Sequence, residues 1–130
     1  MDEVGDYMSS PVLSIDAQSS VQEAAEHMNG NSIGALLVKD LGNFVGIITE
    51  TDLTRRVVGK GLNPESTLVS EVMTKGVLSI DRFLPMDEAN KYMHTHKIRH
   101  LAVTEEEQIV GMLSVKDLVS YYAKSFRMQE

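Results

Sequence analysis

The chain has no cysteine among its 130 residues. That excludes disulfides and thiolate metal sites and leaves the compartment open. No apolar run approaches membrane-spanning length. The start, Met1-Asp2-Glu3, lacks the basic segment of a secretory signal. The expectation is a cytoplasmic protein with no membrane partner. Positive charge is scarce: 12 Lys and Arg face 19 Asp and Glu, for a net charge of −7. This argues against a nucleic-acid binder, because phosphate contacts call for a basic surface. A small anionic ligand needs only a few local donors. Catalytic signatures are missing as well: there is no Gly-x-Ser-x-Gly, no Walker-type loop and no Cys nucleophile. No His aligns beside Thr49 and Asp52 as a base. The expectation is a protein that is not an enzyme.

What the chain does contain is an internal repeat. Gly111-Met112-Leu113-Ser114-Val115-Lys116-Asp117-Leu118 has the form of Gly46-Ile47-Ile48-Thr49-Glu50-Thr51-Asp52-Leu53. The offset is 65 residues, from Gly46 to Gly111 and from Asp52 to Asp117, and it holds backwards without a gap. Over positions 4–53 there are 17 identities in 50, against about three by chance.

Hydrophobic content of 42% is ordinary for a globular domain. Within each repeat the pattern reads β-α-β-β-α. In the first, a strand is predicted over 12–15. Ser20-Val21-Gln22-Glu23 then forms a capping box, with Val21, Ala24, Ala25 and Met28 on one helical face. Asn29-Gly30-Asn31 should stop that helix. Strands over 33–39 and 44–48 flank the turn Asp40-Leu41-Gly42-Asn43, and a helix follows over 51–58. Residues 59–66 are rich in breakers and read as a linker, and 69–73 restart the pattern. In the second repeat Pro85 fits a first helical turn, with Asp87 and Glu88 favourable near the N-terminus. A buried strand over 108–113 precedes a helix on which Leu118, Val119, Tyr122, Ala123 and Phe126 recur. The first crossover suits a parallel pair and the hairpin an antiparallel one, giving a small mixed sheet with helices. One repeat alone is too small for a good core, so the two are expected to pack on each other.

Ser114 and Asp117, like Thr49 and Asp52, fall where a strand ends and a helix begins. Backbone N–H groups are unpaired there and the dipole favours an anion. A hydroxyl donates to a phosphate oxygen, and a carboxylate accepts from two vicinal ribose hydroxyls. Simple helix capping is the alternative for the same residues.

Two units ending in Gly-apolar-apolar-Ser/Thr-x-x-Asp-Leu, with Lys97-Ile98-Arg99-His100-Leu101-Ala102-Val103 in the second, resemble a cystathionine-β-synthase (CBS) domain pair, or Bateman module. The resemblance covers nearly the whole chain. It implies an α/β (α+β) fold of two tandem β-α-β-β-α repeats with pseudo-two-fold symmetry, here 1–62 and 63–130. It implies a regulatory module, standing alone, that senses an adenosine ligand (AMP, ADP, ATP or S-adenosylmethionine, sometimes NAD-type or cyclic dinucleotides) in clefts between the repeats. Carried over by position, Asp117 and Asp52 would hold ribose hydroxyls, and Ser114 and Thr49 ribose or phosphate. Lys75-Gly76-Val77 and Ser10-Pro11-Val12 would edge the adenine pockets, with Ile98 and Ile33 against the base. Arg99, His100 and Lys116 would face phosphate. No catalytic cofactor is implied. The partners implied are a second copy, in a disc-like homodimer joined through the terminal helices, and a separate effector protein.

The repeats differ in charge. The second has Lys75, Lys97, Arg99, His100 and Lys116 where the first has Ser10, Ser32, Gly34, Ala35 and Thr51. Basic groups give charge-assisted bonds to phosphate, so the second site is expected to prefer phosphorylated ligands. Arg55 and Arg56 offer the first site partial compensation; solvated surface charge is the bland reading for both. His94, His96 and His100 have a metal-like spacing. No Cys, Asp or Glu is interleaved, and histidines closing a helix suit its C-terminal dipole, so no metal site is expected.

Overall fold

The free edge of each repeat's hairpin accepts a strand from elsewhere in the chain, and this pairing decides which residues pack together. The computed structural model describes residues 2–129, with side chains through 127. Two compact units result. One is Leu13–Val77; the other combines the chain up to Val12 with the chain from Leu78 onward.

In the first unit β1 (Ser14–Asp16) runs parallel to β2 (Ala35–Asp40), which is antiparallel to β3 (Asn43–Thr49), which is antiparallel to β4 (Thr74–Lys75). Ser20 caps α1 (Val21–Asn31) by accepting from Glu23 N at 3.1 Å. The helix does not stop at Asn29-Gly30-Asn31. It runs through Asn31 and ends at Ser32 in the left-handed conformation (φ 54°), with Ser32 N donating back to Asn29 O. Val21, Ala24 and Met28 turn inward onto Leu36, Val38 and Ile48. The helix expected over 51–58 is broken into α2 (Glu50–Asp52), a π turn (Leu53–Val57) and a 3-10 turn (Val58–Lys60), ended by Gly61 at φ 67°. The linker is tied down. Gln22 N donates to Pro64 O (3.0 Å), Val21 N to Thr67 O (2.9 Å) and Val69 N to Ser19 O (2.8 Å). Short helix α3 (Val69–Val72) then adds Val69 and Val72 to this core.

In the second unit β5 (Ser79–Asp81) runs parallel to β6 (His100–Glu105), which is antiparallel to β7 (Gln108–Ser114). The outer edge of β7 is bridged by Ser9, opposite Met112. Thr74 stands opposite Ile47 in the first unit, so the two edges match at the 65-residue offset. The approach is close. A Cβ on Gly46 would lie 2.5 Å from Thr74 O, and one on Gly111 2.9 Å from Ser9 O, which is why both octapeptides begin with glycine. Pro85 stands just before α4 (Met86–His96) with extended ψ (153°), one place earlier than expected. Met86, Ala89 and Met93 pack on Leu101, Val103 and Leu113, with Val4 fully buried among them and Leu118 brought in from α5 (Val115–Gln129). Met28 and Met93, at matching places in the two repeats, are both buried. Among the described residues no helix is long and apolar enough to cross a membrane.

Candidate functional site

The two octapeptides form two strand-to-helix junctions. At the second, β7 ends on Ser114 and α5 begins on the next residue. Asp117 folds back: its Oδ2 accepts from Ser114 N (2.8 Å) and Ser114 Oγ (3.3 Å). Val115 N donates to Arg99 O (3.0 Å), and His100 is the register partner of Ser114. The backbone therefore brings Arg99, His100, Ser114, Lys116 and Asp117 to one junction, where the resemblance implies a ligand site. Lys116 and Arg99 are exposed, while Asp117 and His100 are half-buried. Ile98 packs its partly buried side chain on the core of this unit.

At the first junction Thr49 and Asp52 form a reciprocal cap. Thr49 N and Oγ1 donate to Asp52 Oδ2 (3.0 and 3.2 Å), and Asp52 N donates to Thr49 Oγ1 (3.2 Å). Here the other carboxylate oxygen is also engaged. Thr74 Oγ1 donates to Asp52 Oδ1 at 3.4 Å, and Arg56 Nε lies 3.6 Å from the same oxygen. Arg56 Nη1 donates further to Val72 O (3.1 Å) and Met73 O (3.2 Å). Arg56 is thus a cross-link rather than a solvated charge. Arg55 is exposed. Ile33 packs on the core of its own unit, like Ile98.

One grouping is corrected. The 65-residue alignment puts Lys75, Gly76 and Val77 with Ser114 and Asp117, and Ser10, Pro11 and Val12 with Thr49 and Asp52. Backbone pairing does the opposite. Lys75 is bonded opposite Gly46, on the strand leading to Thr49, and Ser10 and Pro11 follow Ser9 on the edge of β7. The physical reason is the free hairpin edge, which is filled by the segment preceding the other repeat. The basic set at Asp117 is therefore Arg99, His100 and Lys116, with Lys97 at the end of α4. Thr74, a partner of Asp52, is missed by sequence reasoning. Its one signal is that Ser9 holds a hydroxyl at the matching place.

A groove of about 770 Å³ runs between α4 and α5, floored by Met93, Ile98 and Leu118, with His94, Lys97 and Arg99 on its rim. Tyr122 lines it and donates to Asp87 Oδ1 (2.8 Å). Burial, then the Asp87 carboxylate, push the Tyr122 phenol above its ordinary range. Val119 and Phe126 are 62% and 70% exposed on the same helix. The His94 ring lines this groove and the His96 ring packs on Tyr92 at 4.3 Å. Among the described residues no three His, Asp or Glu side chains gather into a cation-holding group.

Comparison with known proteins agrees with this fold. The family profile for the CBS domain matches twice, over residues 4–59 and 69–124. CBS domain-containing protein YhcV of Bacillus subtilis is 30% identical over 118 residues, covering 91% of this chain and 84% of that protein. An uncharacterized conserved protein of Pyrococcus horikoshii superposes with a TM-score of 0.85 at 33% identity, over 94% of this chain and 95% of the other. The CBS domain pair of protein MJ0100, solved in complex with 5-methylthioadenosine and S-adenosyl-L-methionine, has the same fold. Its TM-score is 0.85 at 24% identity, over 96% of this chain and 98% of that one. The chain belongs to the CBS domain family and carries two CBS domains in tandem.

Proposed function

We propose that this CBS pair is a non-catalytic regulatory module that binds an adenosine ligand, of the AMP, ADP, ATP or S-adenosylmethionine class, and signals through a changed arrangement of its repeats. The observation that carries it is the Ser114–Asp117 junction. There a half-buried carboxylate held by a strand-to-helix cap stands beside Arg99, His100 and Lys116. Asp117 would accept ribose hydroxyls, Ser114 would hold ribose or phosphate, and the basic groups would take phosphate charge. The ligands of the MJ0100 pair belong to this class. Ligand energy shifts the arrangement only by its differential affinity for two states. A homodimer and a separate effector protein complete the proposal.

A second reading, a structural dimerisation module with vestigial clefts, has one observation in its favour: at Asp52 both oxygens are already hydrogen-bonded within the chain. Calorimetry with AMP, ATP and S-adenosylmethionine separates the two. Saturable uptake by the wild type, tighter for the phosphorylated ligands and weakened in Asp117→Ala, supports sensing. No heat with any of them supports the structural reading.

A further inference from the structure

The two motifs share a sequence form and differ in what holds the aspartate. Asp52 is 7% exposed at its side chain, and Arg56, half exposed, sits across its Oδ1. Through Nη1 the same guanidinium holds the carbonyls of Val72 and Met73, immediately ahead of β4, and Thr74 at the start of β4 closes on Asp52. Arg56 therefore ties the helix after the motif to the segment that edges β3. The helix is wound as a π turn over these residues, a winding that recurs at functional sites. Among the described residues no arginine or lysine pairs with Asp117 in this way. Tyr121 stands where Arg56 would, and its ring packs on Tyr7 (5.4 Å) and Tyr122 (4.9 Å).

We propose that Arg56 is a gate on the first motif. While it holds Asp52 Oδ1, a ribose diol has no acceptor at the Thr49–Asp52 junction. Facing a nearly buried carboxylate, Arg56 favours the closed state, and an incoming pair of donors captures the minor open state, in which Thr49 and Thr74 still hold Asp52. Opening releases the Val72 and Met73 carbonyls and loosens β4. Ligand capture and loosening of the edge strand are then coupled, and affinity at this motif is scaled down by the fraction of molecules with the gate open. The inference rests on the reading that the junction carboxylates accept ribose hydroxyls.

The test uses the full chain and AMP, with Arg56→Met, which keeps an apolar stem and removes the guanidinium, and Arg56→Lys, which keeps a cation. Asp117→Ala alone takes up AMP only with weakened affinity, unchanged when Asp52→Ala is added. Asp117→Ala with Arg56→Met takes up an additional equivalent, lost again when Asp52→Ala is added. Asp117→Ala with Arg56→Lys takes up no additional equivalent. A merely structural arginine would not create a site on removal. Without ligand, Arg56→Met accelerates amide exchange at Gly76, whose N–H donates to Val45 O, about tenfold or more. Binding of AMP by Asp117→Ala alone, lost on Asp52→Ala, overturns the gate. So does unchanged exchange in Arg56→Met. If neither the wild type nor the double variant binds AMP, the ribose reading itself fails, and the gate for a ribose fails with it.

Discussion

Ser9 and Met112 exchange a pair of backbone hydrogen bonds, Ser9 N to Met112 O at 2.8 Å and Met112 N to Ser9 O at 2.9 Å. They are 103 positions apart in sequence, and their pairing bridges the chain's first segment to the outer edge of the second repeat's sheet. Val4 follows the same path. It is fully buried, and its N–H donates to Leu84 O at 2.8 Å.

Val4→Ala is therefore expected to destabilise the unit that holds Asp117, by about 1–3 kcal/mol for loss of two buried methyl groups. All four tyrosines (Tyr7, Tyr92, Tyr121 and Tyr122) belong to this unit, and there is no tryptophan. Tyrosine fluorescence in urea reads it directly. An unchanged midpoint would show that the N-terminal segment does not support this core.

Asp117→Ala should weaken AMP binding by about 5- to 150-fold, the equivalent of about 1–3 kcal/mol for leaving ribose hydroxyls unpaired. It should also cost the fold about 1 kcal/mol, because Ser114 N loses its carboxylate acceptor. Calorimetry and a thermal melt on the same sample separate the two effects. Wild-type affinity in the variant refutes the ribose assignment.

The turn between β6 and β7 is built from Glu106 (φ 50°) and Glu107 (φ 68°), both left-handed, where the first repeat has Leu41 (φ 50°) and Gly42 (φ 83°). A two-residue hairpin with positive φ at both positions favours Asn-Gly, and neither glutamate is at ease there. Glu106→Asn with Glu107→Gly should stabilise the protein by about 1–2 kcal/mol, seen as a higher urea midpoint. A lower midpoint would mean that the glutamates make a contribution this geometry does not reveal.

Exposed Val119 and Phe126 on α5 form an apolar face of the kind that marks an interface. Light scattering at micromolar protein is expected to give twice the mass of one chain, and Val119→Asp with Phe126→Asp to give the mass of one. A wild-type mass of one chain at all concentrations removes the dimer.

The sequence by itself determined the repeat, its β-α-β-β-α order, the hairpins and the two hydroxyl-carboxylate junctions. Each follows from local periodicity and from capping chemistry that acts over three or four residues, such as Ser20 with Glu23 and Ser114 with Asp117. Arg99 and His100 were assigned there by the family resemblance; in the fold, the hairpin register sets His100 opposite Ser114, and Val115 N donates to Arg99 O. Only the tertiary structure decided which segment edges which sheet. An edge strand is recruited by unpaired N–H and C=O groups, which look alike on both hairpins, so alignment of Lys75 with Ser10 carries no information about their partners. Only the structure, likewise, distinguished the two aspartates. Arg56 reads as a surface charge four residues beyond Asp52, until the fold brings Thr74 and the carbonyls of Val72 and Met73 within its reach.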